Sequence, residues 1–501
     1  MRYPALLLFA FLGCFSALAQ VRPDTAYAQN WRPQVHFSAK KNWLNDPNGL
    51  IFFGGEYHLF YQHNPQGIRW GHMTWGHAVS PDLHHWQELP FAISEQSAPN
   101  NPADTIMAFS GSCVIDTGNT AGFGKNAMVA IYTGHRKGNQ SQYMAYSLDR
   151  GRTFTPYANN PVLDRNVADF RDPSVFWHPG VGRWVMVVVL PADQKALIYH
   201  SENLKNWVEV SSFQVRNLAL GIWECPALVA VPMVANAAPS KWVWLQSVGS
   251  GAVAGGSGMQ YFVGDFDGTH FLPQDTLTRW LDYGPDYYAA IPVANAPTPV
   301  SIGWMNNWTY AQDIPTTPFR SAMSFPRSLR ILKTANGYAL SQQPAGIQTL
   351  YTDSGVIFNP KQKPNATFSR YVGALARAPF EVLINAKPGA SFTLRLGYGQ
   401  ANELLIGFDA ARQEVFIDRS RAGIQVPGKG FSARSTAPFS GNQTLRLVLD
   451  RSSVELFTAD GLVTITSQFF PTGPVRTCVP TGNVMRLQVR RLRSTWPVGS
   501  R

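Results

Sequence analysis

A chain of 501 residues is too long for one ordinary hydrophobic core, so two or three domains are expected. With 45% hydrophobic and 15% charged residues it falls outside the disordered class, and 42 Gly and 36 Pro beside 30 Phe, 18 Tyr and 15 Trp speak against long helices and for short strands joined by tight turns. The formal charge of +11 sits mostly between Arg370 and Arg501, with 17 Lys plus Arg against 8 Asp plus Glu; the part before Arg370 carries an excess of only 2, which argues against a nucleic-acid partner and for an uncharged substrate.

In chain order, Arg2, the apolar run from Ala5 to Leu18 and the small residues around Ala17-Leu18-Ala19 read as a signal peptide, residues 1–19. The run is short for a bilayer span and nothing later approaches about 18 unbroken apolar residues, so no membrane insertion is expected. A lipid anchor through Cys14 is disfavoured, because Phe11-Leu12-Gly13 is a poor match to the usual preceding residues. The expected product is exported, secreted or periplasmic, and starts near Gln20. It would keep Cys113, Cys225 and Cys478, an odd and widely spaced set that forms neither a disulfide framework nor a metal-ligand pattern; no metal and no cofactor is implied.

Two series of motifs follow. Ser80-Pro81-Asp82-Leu83-His84-His85-Trp86 and Ser201-Glu202-Asn203-Leu204-Lys205-Asn206-Trp207 share Ser-x-x-Leu-x-x-Trp, and looser relatives start at Ser147 and Gly264, so that the four starts are nearly evenly spaced. Shifted in phase, five polar openings each head a short apolar run: Asn45-Asp46-Pro47, Phe109-Ser110-Gly111, Arg171-Asp172-Pro173, Glu224-Cys225-Pro226 and Asp282-Tyr283-Gly284. A period of about 60 residues with several strands per unit predicts a five-bladed β-propeller over 30–345, its five openings converging on one funnel. Residues 346–368 lose apolar patterning and read as a linker. Beyond it, eight short segments alternate apolar and polar residues, from Phe380 to Ala386 through Met485 to Arg490, which predicts a β-sandwich over 369–496. The predicted fold class is all-β.

Three of the openings carry carboxylates: Asp46, Asp172 and Glu224. Taken alone, Asn-Asp-Pro-Asn-Gly is a turn motif. Converging on one funnel, two carboxylates are what glycosidic cleavage needs, and a third can stabilise a developing positive charge. Calcium would want its ligands closely spaced in one loop, and these acids stand in three separate repeats. Trp43, Trp70, Trp75, Phe109, Trp304 and Trp308 offer flat apolar faces, each also readable as core, and Asn45, Gln62, Ser110 and Arg171 offer hydrogen bonds to hydroxyls.

The stretches Trp43 to Gly49, Phe60 to Pro65, Trp75 to Ser80, Phe109 to Ser112, Phe170 to Pro173, Trp223 to Pro226, Trp304 to Trp308 and Asp450 to Phe457 together resemble glycoside hydrolase family 32, the β-fructofuranosidases, which include levanases, inulinases and invertases. The one departure is Leu44, where the family often has Met. The resemblance implies a retaining mechanism, with Asp46 as nucleophile, Glu224 as acid and base and Asp172 as transition-state stabiliser. It also implies Asn45, Gln62, Trp70, Phe109, Ser110, Arg171 and Trp304 as substrate contacts, and Asp282 as a partner that sets the protonation of Glu224. Cys225 is expected to be a packed neighbour rather than a nucleophile. The expected activity is exo-acting release of terminal fructose from levan, inulin or sucrose. An inverting propeller glycosidase acting on arabinan or xylan, and a fructan-binding protein without turnover, are the alternatives. Preference among the three substrates, hydrolysis against fructosyl transfer, and oligomeric state are not encoded in these motifs.

Overall fold

The computed structural model describes residues 27–98, 101–217, 219–234, 240–358, 366–426, 430–431, 433–441 and 443–496. The expected signal peptide, and residues 359–365 of the expected linker, lie outside them. The all-β expectation holds: strands dominate, and the α-helix among the described residues is Ala366–Leu375.

Seven antiparallel-built sheets follow in order. Five lie before Ala345, and their inner strands, called first strands below, are Asn42–Phe53, Asn101–Asp116, Arg171–His178, Trp223–Val231 and Tyr288–Pro292. These five strands pack on one another in a closed cycle, the last against the first. Closure of the first sheet is shared between distant parts of the chain, because Phe319–Arg320 pairs in parallel with the start of Asn42–Phe53. Such inner strands are enclosed on both faces; Trp43 to Ile51 is buried without interruption, its polar Asn45, Asp46 and Asn48 included. Gly49 answers to the closeness of two neighbouring sheets: its φ is +51°, and a Cβ there would meet Cys113 Sγ at 2.7 Å and Phe60 at 2.8 Å.

The Ser-x-x-Leu-x-x-Trp repeat has one structural meaning. Each copy joins the third strand of a sheet to its fourth, Thr74–Ser80 to Gln87–Ile93 and Lys195–Ser201 to Val208–Gln214. Asp82 accepts from the amides of His84 and His85, Asn203 from those of Lys205 and Asn206, and Leu83 and Leu204 both take left-handed φ, 71° and 62°. The indole of Trp86 or Trp207 then donates to the carbonyl of that leucine, which closes the turn.

All five first strands carry the same irregularity. A step of three residues opposes a step of two at Leu44 to Pro47, Ala108 to Gly111, Arg171 to Ser174, Glu224 to Ala227 and Tyr288 to Ile291. An extra residue re-aims the side chains around it. In the last three strands the residue that enters the break is left-handed, with φ of 64° at Asp172, 46° at Cys225 and 49° at Ala289, conformations that cost a non-glycine residue about 1 to 3 kcal/mol each.

The last two sheets share one core. It includes Val382, Ile384, Leu447 and Leu456 from one, and Leu394, Leu396, Ile406 and Ile417 from the other. The linker expectation is corrected here: Val356–Phe358 pairs with Val484–Arg491, and Phe368, Val372 and Leu375 of the helix enter that core.

Between the first five sheets and the last two lies a buried charge network. Arg327 pairs with Glu455 at 2.6 Å and Asp282 at 2.9 Å, and Arg419 with Asp286 at 2.6 Å. His36 sits between Asp450, at 2.8 Å, and Glu455, at 3.0 Å. Asp450 also accepts the amides of Gln34 and Val35. The stretch Asp450 to Phe457, singled out in the sequence, is therefore the seat on which the amino-terminal segment rests.

Candidate active site

At the broken ends of the first strands opens a funnel of about 340 Å³, lined by Asn45, Asp46, Gln62, Trp70, Phe109, Ser110, His135, Gln140, Asp169, Arg171, Asp172, Glu224 and Trp308. The three expected acids are together in it. A second cavity of about 250 Å³, with largely apolar walls, runs along the inner strands and shares Ser110 and Asp172 with the funnel.

Asp46 is held at both oxygens. Oδ2 accepts from Ser110 Oγ at 2.7 Å and Oδ1 from Asn45 Nδ2 at 3.1 Å, while Asn45 Oδ1 is itself fixed by the Trp43 indole at 2.7 Å. Cys225 Sγ lies 3.5 Å from Asp46 Oδ2 and 3.7 Å from Asp172 Oδ2, and its amide donates to Asp172 Oδ2 at 2.9 Å. Burial, together with the flanking acids, pushes the thiol well above its usual range, so it is a donor packed under two carboxylates. Burial and the charge of Glu224 raise Asp46, and the hydrogen bonds from Ser110, Asn45 and Cys225 act against them. Burial also pushes Asp172 up to about 7, opposed by Arg171 and reinforced by Glu224. Several carboxyl groups and one guanidinium in a partly dry site favour retention of a proton near neutral pH, shared as a coupled system.

Arg171 is the hub of the remaining wall. Nη1 donates to Asp169 at 2.8 Å and to Gln140 at 3.1 Å, and Nη2 reaches Glu224 Oε1 at 3.1 Å. Glu224 Oε2 accepts from Tyr288 Oη at 2.5 Å. Arg171, Glu224 and Tyr288 occupy the same position in three consecutive first strands, immediately before the break. Gln62 completes the floor, donating to the Ala108 carbonyl at 3.0 Å.

Two expected contacts are corrected. Asp282 is not beside Glu224; its carboxylate accepts from Arg327, the Thr466 amide and hydroxyl, and the Gly284 amide, all in the network between the sheets. The fifth first strand starts only at Tyr288, beyond its Asp-Tyr-Gly opening, and Tyr288 takes the place at Glu224. Trp304 is 0% exposed, packed against Trp43 and Trp308, and so supports the funnel from behind, while Trp308 lines it. Sequence reasoning missed Tyr288, His135, Gln140 and Asp169. Register alone could have found Tyr288, since it falls where Arg171 and Glu224 fall in their units.

Buried carboxylates that differ in their partners, in a funnel walled by aromatic rings and amide and guanidinium donors, suit a neutral polyhydroxyl substrate and an acid-assisted displacement at its acetal carbon. That places the chain among the glycoside hydrolases. Residues 36–344 match the model of the glycosyl hydrolases family 32 N-terminal domain, and residues 348–488 that of the family 32 C-terminal region. The chain belongs to this family. It is 42% identical to the levanase of Bacillus subtilis (strain 168), over 93% of this chain and 70% of that one, and 38% identical to the extracellular exo-inulinase of Aspergillus ficuum, over 98% and 100%. The crystal structure of the exo-inulinase from Aspergillus awamori superposes with a TM-score of 0.84 at 36% identity, covering 94% of this chain and 100% of that one.

Proposed function

We propose that the chain is an exported, exo-acting β-fructofuranosidase that releases terminal fructose from fructans and from sucrose with retention of configuration. The observation that carries this reading is the unequal bracing of Asp46 and Glu224 in one funnel. Asp46 takes hydrogen bonds at both oxygens and faces the site as a nucleophile. Glu224 is braced by an arginine and a tyrosine at the edge of the same space.

In the proposed reaction Asp46 attacks the anomeric carbon of the terminal fructosyl unit while Glu224 gives its proton to the departing oxygen. Asp172 and Arg171 bind ring hydroxyls, and the Asp172 carboxylate stabilises the positive charge that develops on the ring. Glu224, now a carboxylate, then takes a proton from water as that water displaces Asp46, which returns both groups to their starting state. Asn45, Gln62 and Ser110 would hold the fructosyl unit, and Trp70 and Phe109 would form the wall that leads from it to the mouth. The levanase and exo-inulinase relatives support the substrate class, and an extracellular relative supports export. We read the five sheets in a closed cycle as the blades of a five-bladed propeller over 30–345, and the last two sheets as a β-sandwich that also takes in the strand Val356–Phe358 and the helix Ala366–Leu375.

Chromatography of products from levan, inulin and sucrose tests the activity: free fructose accumulates from the first minutes. Oligosaccharides as the main early product from levan would overturn the exo reading. Proton NMR of the first turnover tests retention, since β-fructose must appear before its other anomers.

A further inference from the structure

His135 ends up in the funnel although no sequence motif points to it. It is the penultimate residue of the strand Ala127–Arg136, and its ring lies flat on Phe109, with centroids 4.4 Å apart and planes 4° apart. Phe109 in turn meets Trp70 edge-on at 5.9 Å, so three rings make one continuous wall.

The neighbours settle the tautomer of His135. Gln140 Oε1 accepts from the Phe170 amide at 2.9 Å and from Arg171 Nη1 at 3.1 Å, so the amide nitrogen is the end that faces His135 Nδ1, 3.1 Å away. That nitrogen can only donate, which makes Nδ1 an acceptor and leaves the ring proton on Nε2. A second proton on the ring would set two donors head to head. Burial first, and then the charge of Arg171, also hold His135 below its usual pKa, which keeps the ring neutral. Among the described residues Nε2 has no hydrogen-bond partner. An oriented donor with no protein acceptor among the described residues therefore belongs to the funnel wall.

Its depth says which part of a substrate it meets. Asn45, Asp46, Gln62 and Ser110 are all buried, whereas His135 and Phe109 are half-buried, Trp70 is exposed, and the Asp169 side chain is 56% exposed. An exo-acting enzyme holds the terminal unit at the bottom and passes the rest of the molecule out through the mouth. Building on the functional reading above, we propose that His135 determines leaving-group specificity: Nε2–H donates to a hydroxyl of the departing sugar while Phe109 and Trp70 cover that sugar's apolar face.

The test compares two fructosides that differ only in what leaves, sucrose and methyl β-D-fructofuranoside, whose departing methanol carries no further hydroxyl. His135→Phe keeps the stacked ring and removes the donor. It should lower kcat/KM for sucrose about tenfold, mostly through KM, and change that for the methyl fructoside less than about twofold. His135→Gln, which returns an N–H near the Nε2 position, should recover most of the loss. If His135→Phe fails to fold, His135→Ala replaces it with the same expected ratio. Equal losses on both substrates, or no loss on either, overturn the proposal while leaving the fructosidase reading intact. A wild-type chain that releases fructose from neither substrate refutes that reading, and this proposal with it.

Discussion

Tyr288 Oη lies 2.5 Å from Glu224 Oε2 while Arg171 Nη2 holds Oε1 at 3.1 Å, so the proposed acid and base is clamped between equivalent positions of the preceding and following sheets. Removing the tyrosine hydroxyl frees one oxygen and lets the carboxyl rotate. Tyr288→Phe is expected to lower kcat by roughly 10 to 100-fold, with KM changed less than about threefold, because the lost contact orients a reacting group rather than binding substrate. Steady-state kinetics on sucrose checks this, and an unchanged kcat would remove Tyr288 from the mechanism.

Asp46→Asn keeps the size and the Asn45 and Ser110 neighbours but cannot form the fructosyl intermediate. Turnover should fall on the order of 10⁴-fold while the melting temperature holds. Residual activity within about tenfold of wild type would mean another group attacks.

Asp172 should make the native state less stable at high pH. Its carboxyl is pushed up to about 7, mainly by burial, whereas in the unfolded chain it lies near 3.8. The folded chain therefore binds the proton more tightly, and the group's contribution, full below about pH 4, is lost as pH rises through about 7. Asp172→Asn avoids that loss. Calorimetry at pH 8 should show the inactive variant more stable by about 2 to 4 kcal/mol, with the two curves meeting near pH 4.

His36 has the same sign in a different window. Burial works against its charge, but the hydrogen bonds to Asp450 and Glu455 outweigh it and push the imidazole up to about 9 from 6.5. Its stabilisation is full below about pH 6.5 and disappears as pH rises through about 9, a change of roughly 3 kcal/mol. Melting curves from pH 6 to 10 should carry this slope in the wild type and lack it in His36→Gln.

Glu455→Gln is expected to cost more, about 3 to 5 kcal/mol at any pH below 9, because it takes from both Arg327 and His36 one of the two carboxylates that face each of them in a dry interface. Limited proteolysis reports it as faster cleavage of the carboxy-terminal part. Protection equal to wild type would show that Asp282 suffices for Arg327.

Much of the architecture was legible in residues close together in the chain. Turn chemistry, alternation and the regular return of the two motif series located the inner strands, and the strand Phe380–Ala386 begins and ends where patterning places it. The acids Asp46, Asp172 and Glu224 could be named because each stands in a local motif whose turn or bulge needs its neighbours. What the motifs could not supply was pairing across long separations. Asp282 carries an acid before a turn just as three of the other openings do, yet it faces Arg327 of the fifth sheet and, across the interface, Thr466. Tyr288 carries no motif at all, and it reaches Glu224 from the next sheet. Trp304 and Trp308 are alike in the chain, and only packing decides that one is core and the other wall. The sequence by itself determined the strands, the turns and the identity of the three acids, since those depend on backbone preference and on residue type. Tertiary structure alone decided their partners and the tautomer of His135, because a hydrogen-bond network is fixed by which side chains the closed cycle of sheets brings within about 3 Å of one another.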